Sequence, residues 1–179
     1  MNVFIDCGYY CGKAIKLFRK TIDFKDDFVF YAFDASFNRN SKDKLTFLNK
    51  AVWIYDGEIE FYKSYRRGGK ANGLFHNKRA RKETTIKVEC IDFSSWILKT
   101  FTKNDYIILK MDIEGAETEV LNKMLHDGSI DYIKIAYIEF HNKKEETLET
   151  RRKLSEINGI QIRPAIEICW NKYTKVILK

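Results

Sequence analysis

An α/β fold, with a mostly parallel sheet and helices on both of its faces, is what the 179 residues predict. Three observations lead there. Short apolar runs alternate with stretches whose apolar residues recur at helical spacing. Two of the run-to-helix junctions carry glycine loops, DCGYYCG (6–12) and DIEGAE (112–117). Pro occurs once, at Pro164, and no stretch reads as a linker, so residues 1–179 are expected to form a single domain.

Val3, Phe4 and Ile5 open a first strand, and Ala14, Ile15, Leu17 and Phe18 follow at helical spacing. Between them, Gly8 can supply a tight turn and Gly12 a close helix-to-strand approach, while the helix N-terminus offers free N–H groups to a polar ligand. Phe28 to Phe33 (FVFYAF) reads as a buried second strand ending at Asp34. An acid there can accept two hydrogen bonds from a ribose diol. Residues 38–49 are polar and read as helical or looped. Lys50 to Tyr55 and Glu58 to Tyr62 flank Asp56-Gly57, which predicts a hairpin. Ile86 to Ile91 predicts another strand, and Asp92 or Ser94 can cap a helix through Ile97, Leu98 and Phe101.

The central stretch is Tyr106 to Leu125, YIILKMDIEGAETEVLNKML. It reads as strand, loop and helix, which aims the Asp112 carboxylate past the strand end, where open α/β sheets bind their ligands. Asp112, Glu114 and Glu117 also suit a helix N-terminus electrostatically, by ~0.3 to 1 kcal/mol each. Gly115, without a Cβ, lets backbone or ligand come close. Gly128 should end the helix. A further strand is expected over Asp131 to Phe140, with Glu139 and His141 two apart on one side of it. Thr147 to Ile157 predicts an amphipathic helix. Ile160 to Trp170 and Tyr173 to Leu178 predict a closing antiparallel hairpin, whose edge could pair between subunits without establishing an oligomer.

Composition excludes several classes. The longest apolar run, Phe28 to Phe33, is far short of the ~20 residues of a membrane helix, and the N-terminus lacks a basic n-region and cleavage site, so a cytoplasmic protein with no membrane span is expected. Cys7, Cys11, Cys90 and Cys169 form no CxxC pair and read as reduced thiols. The net charge of +7 is local: residues 63–87 hold nine Lys or Arg against Glu83, which is +8, and leave the remainder at −1. That segment, with Tyr65 and Phe75 interleaved, reads either as a loop over the cleft that attracts an anionic partner or as a solvated, disordered charge run.

These elements form a Rossmann-like pattern, and six stretches carry a resemblance. DCGYYCG (6–12), FYAFDAS (30–36), NKAVWIYDGEIEFY (49–62), VECIDF (88–93), LKMDIEGAE (109–117) and IEFH (138–141) resemble, in order, the motifs of the FkbM-type S-adenosylmethionine-dependent methyltransferases. LKMDIEGAE is the most specific of them. The resemblance implies a class I methyltransferase fold that moves a methyl group from sulfur to a hydroxyl of a sugar or other small molecule. It implies that Asp6, Gly8 and Gly12 hold the methionine part of S-adenosylmethionine and Asp34 the ribose hydroxyls, that Asn49, Ala51 and Val52 border the adenine, and that Tyr9 and Ala35 are among the cofactor contacts. Asp112 would line the transfer site. The chain departs from the family pattern at Tyr9 and Tyr10, where Ala and Asn are commoner, and at Asp34, where Glu is.

Methyl transfer from a sulfonium is a direct displacement, so the protein must align the acceptor oxygen and take its proton. His141 is the first candidate for general base, with Asp112 and Glu139 as alternates. A second version has Asp112, Glu139 and His141 binding a divalent cation that acidifies the hydroxyl, and ranks below the metal-free one. Arg66, Arg67, Lys70, His76 and Glu114 are the expected acceptor contacts, and the acceptor is expected to be a small anionic or carbohydrate molecule. Two other readings stay open: a nucleic-acid methyltransferase acting on RNA 2′-O or base, and a non-catalytic S-adenosylmethionine-binding module. A nicotinamide enzyme fits less well, because the loop is DxGxxxG rather than GxGxxG.

Overall fold

The computed structural model describes residues 1–21, 27–36, 40–41, 44–64, 72–75, 83–141, 144–157 and 161–164. Its larger sheet is built from β1 (Asn2–Cys7), β2 (Phe28–Phe33), β3 (Leu45–Leu48), β7 (Tyr106–Met111), β8 (Ile133–Ile138) and β9 (Gln161–Pro164). The strand order is β3-β2-β1-β7-β8-β9, and every neighbouring pair is parallel. The chain therefore runs outward from β1 through β2 to β3, then returns to the other side of β1 and runs outward again. The reversal between β1 and β7 opens a crevice beyond their carboxyl ends.

Period-two alternation in the central strands divides the core between the two faces. Val3, Ile5 and Cys7 of β1 and Ile107, Leu109 and Met111 of β7 bury themselves on one face. There they meet Phe93 and Ile97 of α2 (Phe93–Thr100) and Val120, Leu121 and Met124 of α3 (Glu117–Asp127). Leu154 of α4 (Glu145–Glu156) joins the same cluster. On the other face Phe4 and Ile108 pack with Ala14, Ile15 and Phe18 of α1 (Lys13–Thr21). Phe18 lies 4.2 Å from Phe4 and 5.2 Å from Phe28 between ring centroids. The helix ends follow their local chemistry. Asp92 caps α2 by accepting from the Ser95 N–H at 3.1 Å, and Gly128 closes α3 at φ +76°.

A smaller sheet of β4 (Ala51–Trp53), β5 (Gly57–Ser64) and β6 (Glu83–Asp92) has the order β4-β6-β5. This corrects the hairpin expected at Asp56-Gly57. Cys90 of β6 is the register partner of both Ala51, in parallel, and Gly57, in antiparallel fashion, so β6 lies between the two expected partners. The Asp56 carboxylate accepts from the Asp92 N–H at 3.0 Å, tying the turn to β6. The longer strand uses both of its hydrogen-bonding edges, and three-residue β4 has too little ladder of its own to compete.

Three other boundaries differ. Leu45–Leu48 (LTFL) is a strand inside the stretch expected to be helical or looped; four residues are too few to show a period. β8 begins at Ile133, because Ser129–Tyr132 form a 3-10 turn, and it ends at Ile138, so Glu139 and His141 stand on the loop beyond it. β9 continues the parallel sheet, while the second strand of the expected closing hairpin lies outside the described residues. No helix among the described residues is long and apolar enough to cross a membrane.

Candidate active site

The crevice is stitched together by the first residues beyond each strand. Gly8 N–H donates to Phe33 O at 3.0 Å, Asp112 N–H to Cys7 O at 3.0 Å and Glu139 N–H to Met111 O at 2.9 Å. Gly8 turns at φ +83°, and a Cβ there would lie 1.8 Å from the Asp112 carbonyl oxygen, so only glycine lets the two loops approach. Gly12, at φ +70°, has the Tyr9 ring over it in the same way.

Beneath this floor lies an ion cluster. Lys110, 2% exposed, donates to Gly8 O at 2.7 Å, and its Nζ stands 3.1 Å from Asp6 Oδ1 and 3.6 Å from Asp112 Oδ2. Asp6 is fully buried; burial pushes its carboxyl up to about 6 against the pull of Lys110. Lys110 thus neutralises Asp6 while fixing the Gly8 carbonyl and the direction of Asp112.

Above the floor is a cleft of about 440 Å³, within the usual range for small-molecule sites. One end is built around Asp34, whose two oxygens accept from Tyr10 N–H at 2.6 Å and Ser36 N–H at 2.8 Å. The Ser36 hydroxyl also hydrogen-bonds this carboxyl, so three donors act on it before any ligand hydroxyl does. Burial raises the Asp34 carboxyl, opposed by those two N–H donors. Asn49 donates to Asp34 O at 2.8 Å and so braces the loop. Ala35, Ala51, Val52 and Phe33 give this end apolar walls. Tyr10 (φ +47°) and Glu114 (φ +57°), both on the cleft, hold left-handed backbone conformations that side chains of their size rarely adopt.

At the other end, Asp112, Glu114, Glu139 and His141 line the cleft together. His141 Nε2 is 3.7 Å from both Asp112 Oδ1 and Glu114 Oε2 and 3.9 Å from Glu139 Oε1, and Nδ1 is 3.0 Å from Glu117 Oε1. Burial works to lower the imidazole pKa, but the hydrogen bond and charge of Glu117, with the charges of Glu114 and Asp112, carry it up to about 9. Burial lifts Glu114 to about 7 despite the attraction of His141. Asp112, Glu114 and His141 each present one ligand atom within 4.8 Å of the others, near enough to share a divalent cation, and Glu139 Oε1 lies 3.9 Å from His141 Nε2. Part of the basic segment reaches this cleft. Gly73 pairs with Tyr62 and packs against Glu114, and Asn72 donates to Ser36 Oγ at 3.1 Å, so residues 72–74 cross from the His141 end to the Asp34 end.

A glycine loop, a strand-end acid and a strand-end D-x-E-G cluster on one parallel sheet agree with a match over residues 6–159 to the methyltransferase FkbM domain. The chain belongs to the FkbM methyltransferase family. Neither a search of curated proteins nor one of solved structures finds a match.

In this FkbM chain, Gly8, Tyr9, Asp34, Ala35, Ala51, Val52, Asp112, Glu114, Glu139 and His141 line one cleft. Asp6 does not line it, contrary to the cofactor contact expected of it: its side chain is wholly covered and meets Lys110 beneath the floor. Gly12 and Asn49 act through the loops they shape. Arg66, Arg67, Lys70 and His76 lie outside the described residues. Sequence reasoning missed Lys110 and the inward role of Glu117. Lys110 carried a signal, a lone cation inside the apolar run YIILKM. Glu117 carried none beyond its place at a helix start, where a carboxylate is ordinary.

Proposed function

We propose that this FkbM-family methyltransferase is an S-adenosylmethionine-dependent O-methyltransferase of the cytoplasm, acting on a hydroxyl of a small carbohydrate or anionic acceptor. One observation carries the reading: a single cleft at the sheet reversal has a diol-accepting carboxylate, Asp34, at one end and a histidine among carboxylates, His141, at the other.

The donor set fits the cofactor. Asp34 offers acceptor oxygens to ribose hydroxyls, the apolar walls of Ala51 and Val52 suit adenine, and Gly8, with no side chain, lets the β1 and β7 loops close together into the floor of the cleft. When bound, S-adenosylmethionine supplies a methyl group activated by its sulfonium sulfur. The protein's own work is alignment and proton removal. Asp112, Glu114 and Glu139 accept hydrogen bonds from acceptor hydroxyls and so fix which oxygen faces the methyl group; such positioning can supply ~7 to 11 kcal/mol of the barrier. His141 Nε2 takes the hydroxyl proton, worth about 10²- to 10⁴-fold. A carboxylate-rich transfer end suits a polyhydroxylated acceptor and repels a phosphate polymer, which weighs against the nucleic-acid alternative. An anionic group on the acceptor would sit away from that end.

The test is methyl-labelled S-adenosylmethionine offered with methyl glucoside, glucose 6-phosphate and an RNA oligonucleotide. Label on a sugar, lost in His141→Gln, is the expected result. Label on RNA alone would replace this reading with the nucleic-acid one, and cofactor binding with label on none of the three would leave a binding module.

A further inference from the structure

Glu117 is the first residue of α3 and 1% exposed, yet its carboxylate is turned away from solvent toward the cleft histidine. One oxygen, Oε1, accepts from Ile113 N–H at 2.9 Å and Gly115 N–H at 3.2 Å, closing the loop that carries Asp112 and Glu114. The same oxygen stands 3.0 Å from His141 Nδ1. Oε1 already accepts from two N–H donors, and a carboxylate oxygen offers no proton of its own to the ring. Nδ1 therefore donates, and in the neutral ring the free lone pair belongs to Nε2, the nitrogen that faces Asp112 and Glu114.

We propose that Glu117 is the positioning residue of methyl transfer: it holds His141 with Nδ1–H donated to its own Oε1 and Nε2 presented to the acceptor hydroxyl. The inference rests on the methyltransferase reading of the site. In the step, the acceptor O–H bond breaks and its proton passes to Nε2, the O–C bond forms as the S–C bond breaks, and the bonding pair returns to sulfur. The charge arising on the ring is then shared with Glu117 across the 3.0 Å bond. Anchored to the loop between β7 and α3 by two backbone donors, Glu117 fixes the ring without occupying the cleft.

Nitrogen-15 NMR of labelled histidine at a pH above 9, with the His141 signals assigned by their loss in His141→Gln, reads the tautomer without any ligand. The expected wild-type result is one tautomer, protonated on Nδ1. In Glu117→Gln, where a neutral amide replaces a charged acceptor, the tautomer ratio should fall about fivefold or more. Protonation on Nε2 in the wild type, or an unchanged ratio in the variant, would overturn the proposal. On the most active acceptor of the panel above, Glu117→Gln should lower kcat about tenfold or more with both KM values within about twofold. It should add nothing in a His141→Gln background; multiplicative losses would mean a merely structural role and also overturn it. A wild type that transfers no methyl group would contradict the reaction, while the NMR result still decides the pairing.

Discussion

The Asp112 carbonyl oxygen stands where a side chain on Gly8 would have to go, 1.8 Å from an ideal Cβ. Gly8 follows β1 and Asp112 follows β7, so this contact closes the floor of the crevice where the sheet reverses. It makes Gly8→Ala a backbone collision at a left-handed residue rather than a loss of packing. The variant is expected to lose at least ~2 to 4 kcal/mol of stability in urea unfolding. A loss below ~1 kcal/mol would mean that the loops separate at little cost.

Lys110→Met should show what the buried pair contributes. Removing one partner of such a pair typically costs ~3 to 5 kcal/mol, because the other charge is left buried. Asp6 can escape by taking a proton. Its folded pKa is raised from 3.8 to about 6, so its contribution to stability is fully present below 3.8 and is lost as pH rises through about 6. The penalty in Lys110→Met should therefore be larger at pH 8 than at pH 5. Equal penalties would contradict the pairing.

Glu114→Gln is expected to stabilise the protein while impairing it. Burial raises the Glu114 carboxyl from 4.5 to about 7, so its favourable contribution is lost as pH rises through about 7, and the ionised form is carried at a cost above that pH. With a quarter of the side chain exposed, that cost is on the order of 1 to 2 kcal/mol after allowance for solvent screening. Thermal unfolding should give the variant a higher Tm than wild type at pH 8 and no advantage near pH 4.5, with transfer activity reduced at both.

As a base, His141 must be unprotonated. With its pKa raised to about 9, kcat/KM should climb about tenfold per pH unit below that value and level off above it. Removing the Glu117 or Glu114 charge should move the break to lower pH. A wild-type break near 7 would instead match Glu114, whose carboxyl lies at about 7.

The sequence carried what periodicity and special residues encode. Gly8 and Gly128 stand where the backbone turns at positive φ, and Asp34 and Asp112 stand just past strand ends; each of these positions was legible. The strand order was legible only as a class. Asp56-Gly57 showed a turn locally, but β6, about thirty residues farther along, decided which strands pair, and no local signal reports a distant competitor. The Glu117 to His141 contact joins residues 24 apart in sequence and depends on β7 and β8 being neighbours. Such contacts follow from topology and are invisible to spacing.

Thermal unfolding with and without saturating S-adenosylhomocysteine, in wild type and in Asp34→Ala, tests the cofactor cleft most directly. At 100 times its dissociation constant the ligand should add ~2.7 kcal/mol, or about 5 to 10 °C for a domain of this size. The expected result is a shift of that order in wild type that shrinks in Asp34→Ala, because Asp34 accepts from the loop N–H groups of Tyr10 and Ser36 and, in the proposed binding mode, would also accept from the ribose hydroxyls. A folded wild type that does not shift, or an equal shift in the variant, would contradict the cofactor site at Asp34.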